Sequence, residues 1–192
     1  MAVDVAGFIT YLKDHAVEHG FHVHDERHFI ETYSLRQSFE VDLHPESACT
    51  GPVDLNLAFD VEPRVLLELE DRVNELDDEL AEPEGEFRLP LYFNWALPPL
   101  ADPPDLIVLA AELAGVGGLD LPIEVSAVDS FGALAQQAEH RLSLVGKTDV
   151  SLVDVLMGRE TMCDTLDRCR EVSEYLVAKS DTWKVLETPE ED

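Results

Sequence analysis

The sequence predicts an α+β protein in which an antiparallel sheet of about four to five strands is packed by helices, with a helical C-terminal section. Three observations predict this class. Several segments alternate apolar and polar residues, which is typical of strands with one buried face. Other segments repeat apolar residues at helical spacing. The order of the segments is helix, strands, helix, strand, helix, strand and then helices, which favours a segregated α+β arrangement.

The N-terminal segments predict one helix and three strands. Residues 3–19 carry apolar side chains at helical spacing and are followed by Gly20, while residues 21–23 form a short strand-like stretch. Residues 34–44 and 53–62 alternate between apolar and polar, so we expect neighbouring antiparallel strands with one face in water. The acids on that outward face are Glu40, Asp42, Asp54, Asp60 and Glu62.

The middle of the chain predicts two further helices and two further strands. Pro63 suits the first turn of a helix that carries an apolar stripe as far as Leu80. Residues 87–97 alternate as a strand, residues 105–116 form an apolar helix, and residues 119–128 alternate again.

The C-terminal part predicts helices alone. Residues 130–145, 151–157 and 162–179 each have helical patterning, and no strand is expected after Asp129. We therefore predict a sheet domain over residues 1–129 and a helical section over 130–186 packed on it. The alternative is that the two form one single domain. Residues 187–192 form an acidic tail.

The charge of the chain excludes two classes of partner. Lys and Arg number 13 against 41 Asp and Glu, so the formal charge is 13 − 41 = −28. Direct binding to nucleic acid needs clustered cations, and an anionic membrane surface would repel the chain. Two interpretations remain open. The acids are spread evenly, which favours adaptation to high internal salt, whereas a surface that imitates nucleic acid and docks onto a basic partner would also be acidic.

Cysteine usage and hydropathy predict a cytoplasmic protein. The three cysteines have no disulfide-framework spacing, and the N-terminus lacks the basic region of a signal peptide. The longest apolar run, residues 106–111, is too short for a membrane span.

Histidines supply the candidate site. Six of the seven lie within the first 44 residues. His15 and His19 are four apart on a helix, and His22 and His24 share one face of a strand. A divalent metal such as zinc, held by His15, His19 and one of His22 or His24, is one interpretation. The alternative makes His19 a residue at the edge of the core and leaves the other histidines on the surface.

One motif within this cluster has a relative among peptidases. The pattern H-x-x-E-H is formed by His15, Ala16, Val17, Glu18 and His19. It resembles the signature of the inverzincin peptidases. The resemblance implies that His15 and His19 bind zinc, that Glu18 acts as a base, and that a downstream glutamate is the third ligand.

No other catalytic motif stands out. The sequence has no G-x-S-x-G, and its glycine-rich stretch at residues 115–118 follows a helix, the wrong order for a phosphate-binding loop. The helix over 162–179 carries a heptad-like seam that packs within the domain or forms a homodimer. We therefore expect a non-enzymatic protein-interaction or regulatory module without a cofactor. The alternatives are a metal-binding protein, with or without hydrolytic activity, and an acidic nucleic-acid mimic.

Overall fold

A computed structural model describes residues 4–76, 81–131, 139–159 and 162–183. It confirms the α+β class, with six strands where four to five were predicted. The described helices are α1 (Val5–Glu18), α2 (Pro63–Asn74), α3 (Leu106–Gly117), α4 (Leu152–Leu156) and α5 (Cys163–Trp183). The strands are β1 (Phe21–Ile30), β2 (Gln37–Pro45), β3 (Asp54–Val61), β4 (Arg88–Ala96), β5 (Ile123–Ser130) and β6 (Glu139–Ser151).

The strands form one antiparallel sheet in the order β1-β2-β3-β4-β6-β5. The first four strands are therefore neighbours in chain order, and β1 and β5 form the two edges. A short 3-10 helix, Glu46–Ala48, lies in the connection between β2 and β3. This topology places the histidine-rich β1 at one edge.

The prediction of a helix over residues 130–145 is wrong for the described part of that segment. Residues 139–151 form β6, the longest strand at 13 residues, which lies between β4 and β5. The stretch 133–138 is rich in Ala and Gln, which favour helices. The predicted helix also included the residues after this stretch, whose own apolar and polar side chains alternate as in a strand. Residues 132–138 and the acidic tail 187–192 lie outside the described residues.

One face of the sheet forms the hydrophobic core, since alternate side chains of each central strand are buried. Phe59 packs against Phe8 of α1, with ring centroids 5.7 Å apart. Leu109 and Leu113 of α3 join the same core. The opposite face of the four inner strands carries no fully buried side chain, and it contains the polar partners of the alternation. The described part of the protein is thus a two-layer arrangement with one open sheet face.

The apolar seam of α5 faces this core. The seam residues Met162, Leu166, Cys169, Ser173 and Leu176 are all buried. Trp95 Nε1 donates a hydrogen bond to Ser173 Oγ at 2.9 Å, which in turn donates to the carbonyl of Cys169 at 2.8 Å. Ser173, the polar residue within the seam, therefore has buried hydrogen-bond partners. Burial also raises the pKa of the Cys169 thiol.

None of the helices in the described ranges combines the length and the apolar character that a membrane span requires.

Candidate metal centres

The structure separates the four candidate histidines into two pairs, and each pair is joined by a cysteine. We call His15, His19 and Cys163 the helical site, and His22, His24 and Cys49 the sheet-edge site. In each site, one ligand atom from every residue lies within 4.8 Å of the other two. A single site combining α1 and β1 histidines is not among the groups that the described residues form.

The helical site joins the end of α1 to the start of α5. His15 occupies the last turn of α1 and His19 is its C-cap residue, so the two rings lie on one side of the helix, 5.6 Å apart at their centroids. Cys163 is the first residue of α5, and its Sγ lies 3.2 Å from His15 Nε2. The three side chains are half-buried.

A carboxylate lies close to Nδ1 of each of these histidines. His19 Nδ1 lies 2.9 Å from Asp167 Oδ1, and His15 Nδ1 lies 3.3 Å from Glu18 Oε2. The hydrogen bond from His19 lowers the pKa of Asp167. A neutral imidazole that donates from Nδ1 to a carboxylate keeps a lone pair on Nε2. The hydroxyl of Tyr11 also lies 3.3 Å from His15 Nε2. This carboxylate support is typical of metal-binding histidines.

The sheet-edge site is built from a bulge and a short 3-10 turn. The β1–β2 register shifts between Val23 and Asp25, so His24 is an extra residue in β1. Cys49 directly follows the 3-10 helix. Its Sγ lies 3.4 Å from His22 Nδ1 and 3.0 Å from His24 Nε2. His22 and His24 are exposed, in contrast to the histidines of the helical site.

A third imidazole lies beside the sheet-edge site. The His44 ring is 4.5 Å from the His24 ring at their centroids, and its Nε2 is 3.2 Å from Asp54 Oδ1. His44 Nδ1 is buried and has no hydrogen-bond partner among the described residues. Such an atom carries a desolvation cost that a further polar partner would remove.

An open cleft of about 360 Å³ lies beside the helical site. It is lined by His19, by its partner Asp167 and by Glu46, whose Oε1 is 3.8 Å from His22 Nε2. The remaining charged lining residues are Glu18, Arg170 and Glu174. Four carboxylates against one guanidinium make this cleft attractive to cations.

Both ligand sets have the composition and spacing that Zn²⁺ accepts. Zinc–nitrogen and zinc–sulfur bonds of about 2.0–2.3 Å in a tetrahedron place ligand atoms about 3.3–3.6 Å apart. The nitrogen–sulfur distances are 3.2 Å in the helical site and 3.0 and 3.4 Å in the sheet-edge site. These three nitrogen–sulfur distances are close to the tetrahedral spacing, and the ligand atom of His19 lies within 4.8 Å of the other two in its site.

The two cysteines are the site residues that sequence reasoning missed. The cysteine spacing predicts reduced thiols, and all three cysteines are free thiols in the structure. Cys163 follows His15 by 148 positions, so no local motif connects them. The half-buried state of Cys49 and Cys163, against the full burial of Cys169, is the structural signal that separates them.

No known protein family, curated protein or solved structure matches the chain. The third residue beside His15 and His19 is a cysteine, where the H-x-x-E-H resemblance implies a glutamate.

Proposed function

We propose that the protein is a non-enzymatic metal-binding protein in which His15, His19 and Cys163 hold a Zn²⁺ ion. The observation that carries this proposal is the convergence of these three residues, each with one ligand atom within 4.8 Å of the other two. Carboxylates of Asp167 and Glu18 contact Nδ1 of His19 and His15, and such outer partners orient the rings of metal-bound histidines.

The metal would connect two helices that are remote in sequence. His15 and His19 belong to the end of α1, while Cys163 begins α5. Because the three ligands come together only in the folded chain, the free energy of metal binding adds to the free energy of unfolding. A role in stabilising or regulating the fold follows from this coupling.

The alternative of hydrolysis assigns Glu18 a different task. A general base must reach a water on the metal. The Glu18 carboxylate instead contacts Nδ1 of His15, the nitrogen that points away from the thiol. We therefore give Glu18 the role of orienting His15, and we expect Glu18→Gln to weaken zinc affinity about 10- to 100-fold.

Metal content and thermal unfolding of the untagged protein test the proposal. We expect stoichiometric zinc, and a midpoint that rises by roughly 5–10 °C when free zinc is 100 times its dissociation constant. Cys163→Ser should remove one equivalent of metal. His28→Ala is the matched control, since His28 bonds Gln37 and belongs to neither site. Unchanged zinc content in Cys163→Ser would overturn the proposal.

A second candidate function, a protein-interaction module, has an observation of its own on α3. Ile107 is 83% exposed and Val108 is 55% exposed, and Leu119 just beyond the helix is 98% exposed. The neighbouring β5 is an edge strand paired with β6 alone. We propose a homodimer through this face. A dimer through the helix over 162–179 would have to use its polar side, because the apolar seam packs on the core.

Light scattering tests the homodimer. We expect a dimer mass for the wild-type protein and a monomer mass for Ile107→Glu. Leu67→Glu is the control, because Leu67 is a 60% exposed apolar residue of another helix and gains the same charge. A monomer mass for the wild-type protein at all concentrations would rule this interface out.

A further inference from the structure

We propose that His22, His24 and Cys49 form a second and independent Zn²⁺ site, one that keeps an open coordination position and exchanges its metal with the solution. This site shares no ligand with the helical site. It therefore goes beyond the proposed function, and either site can fail without the other.

The local backbone presents both histidines to one thiol. His22 pairs with His44 across the β1–β2 ladder, and the ladder resumes with Asp25 opposite Asp42. His24 lies in the register shift between these pairs, where a bulge redirects its side chain. As a result Nδ1 of His22 and Nε2 of His24 both lie within 3.4 Å of the Cys49 sulfur.

Two neighbouring groups support a ligand at this point. The remote nitrogen of His22 lies 3.8 Å from Glu46 Oε1, which is close enough for an ion pair but too far for a hydrogen bond. His44 Nδ1 is a buried nitrogen without a hydrogen-bond partner among the described residues, and its ring contacts the His24 ring. The three ligand residues therefore have polar neighbours on two sides, Glu46 and His44.

Exposure distinguishes this site from the helical one. His22 and His24 are exposed and Cys49 is half-buried, whereas all three residues of the helical site are half-buried. Three protein ligands leave one tetrahedral position for water in either site. At the sheet edge the exposed histidines leave this position accessible to solvent and to small anions, whereas the half-buried ligands of the helical site restrict access to it. The acidic cleft reaches Glu46, so cations would be concentrated near the site. We expect faster exchange of zinc here than between α1 and α5.

Cobalt titration counts the sites. Co²⁺ bound to a thiolate absorbs visible light, and we expect two equivalents per wild-type chain. Cys49→Ser and Cys163→Ser should each bind one equivalent, and His28→Ala should bind two. Azide, a small anionic ligand, should change the cobalt spectrum of the wild-type protein and of Cys163→Ser but not that of Cys49→Ser.

Chelator competition measures the exchange. With 4-(2-pyridylazo)resorcinol we expect zinc to leave the wild-type protein in a fast and a slow phase, and the fast phase to be absent in Cys49→Ser. His24→Gln is a second variant for the same site, and circular dichroism of the metal-free proteins checks that each variant folds.

The outcomes separate the two proposals. If Cys49→Ser and His24→Gln keep both equivalents, or if the wild-type protein binds a single ion that Cys163→Ser abolishes, the sheet-edge site is overturned while the helical site stands. If Cys163→Ser keeps both equivalents, the proposed function fails and the sheet-edge site is judged on Cys49→Ser alone.

Discussion

At the residue scale, one buried hydrogen bond joins the sheet to the long C-terminal helix. The Trp95 indole donates to Ser173 Oγ at 2.9 Å, and Ser173 is fully buried. The indole nitrogen can only donate, so this hydroxyl is the acceptor that allows a large aromatic side chain to lie in the core.

We predict that Ser173→Ala lowers the free energy of unfolding by about 1–3 kcal/mol, because the Trp95 N–H would remain buried and unpaired. Ser180→Ala is the control. Ser180 is equally buried, but its hydroxyl donates only to the carbonyl of Val177, so its removal leaves no unpaired donor. Urea denaturation of both variants measures the difference, and equal losses would contradict the prediction.

A second residue-scale feature is the Arg27 cluster on the open sheet face. The guanidinium donates to Asp42 at 2.7 and 2.9 Å and to Glu40 at 3.1 Å. Asn56 Nδ2 also donates to Asp42 at 2.9 Å. The Arg27 hydrogen bond is the main cause that holds the pKa of Asp42 below its usual value.

The lowered pKa of Asp42 predicts a pH dependence. Its stabilising contribution is present above the unfolded-state pKa of about 3.9 and is lost as the pH falls through the lower folded-state pKa. Arg27→Gln should therefore be less stable than the wild-type protein above pH 4, by a margin that shrinks at lower pH. Arg141→Gln, which loses an exposed pair with Glu139, should show a margin with no such trend in urea denaturation at several pH values.

At the scale of the elements, β6 depends on a close approach at Gly146. A Cβ at this position would lie 2.9 Å from Leu121 Cδ1 and 3.1 Å from Trp95 Cζ3. Both neighbours are buried in the core, so position 146 of β6 has no room for a side chain.

We predict that Gly146→Val lowers the free energy of unfolding by about 1–3 kcal/mol through overpacking. Gly115→Ala is the opposite case, because a Cβ at Gly115 in α3 meets nothing within 4 Å. Replacing glycine in a helix interior by alanine should stabilise the protein by up to about 1 kcal/mol. Thermal unfolding of the two variants should shift in opposite directions, and a shift in the same direction would refute the packing argument.

The elements that sequence reasoning located are those with a clear periodic pattern. The alternation over residues 34–44 and 53–62 predicted β2 and β3, although β2 begins only at Gln37, and the Pro63 segment predicted α2. Sequence reasoning failed at β6, where helix-forming residues precede the alternation. It also predicted only the first residues of β1, because the outer half of this strand is exposed and lacks apolar periodicity. Alternation of apolar and polar residues arises where one face of a strand is buried. An exposed edge strand therefore lacks the pattern by which strands are predicted from sequence.

The candidate sites show a different limit. His15, His19, His22 and His24 were identified because helical and strand spacings fix which neighbours share a face. The pairing of these residues with Cys163 and Cys49 depends on how α5 and the β2–β3 connection return to the N-terminal elements. That is a property of the tertiary fold, and no spacing within the sequence contains it.

At the scale of the whole molecule, the net charge of −28 is partly balanced where the acids are densest on the sheet. Arg27 pairs with Asp25, Glu40 and Asp42, and Arg36 pairs with Asp60. The outward row of acids is therefore interrupted by guanidinium groups. This arrangement favours a solvated surface over a continuous imitation of a phosphate backbone.

We predict that the midpoint of thermal unfolding rises as NaCl increases from 0.1 to 1 M. The Debye length falls from about 10 to 3 Å over this range, which weakens the self-repulsion of the chain more than its exposed ion pairs stabilise it. Sucrose at matched osmolality is the control for solvent exclusion. A midpoint that falls or stays constant in NaCl would contradict adaptation to high salt.

The two ligand sets also differ in when translation completes them. Cys49 follows His22 by 27 positions, whereas Cys163 follows His15 by 148. A growing polypeptide therefore carries every sheet-edge ligand early, but it acquires the last helical-site ligand only after all six strands have been synthesised. Zinc between α1 and α5 would thus bind only to a chain in which the entire sheet has been synthesised. A product truncated before Cys163 would lack one of the three ligands.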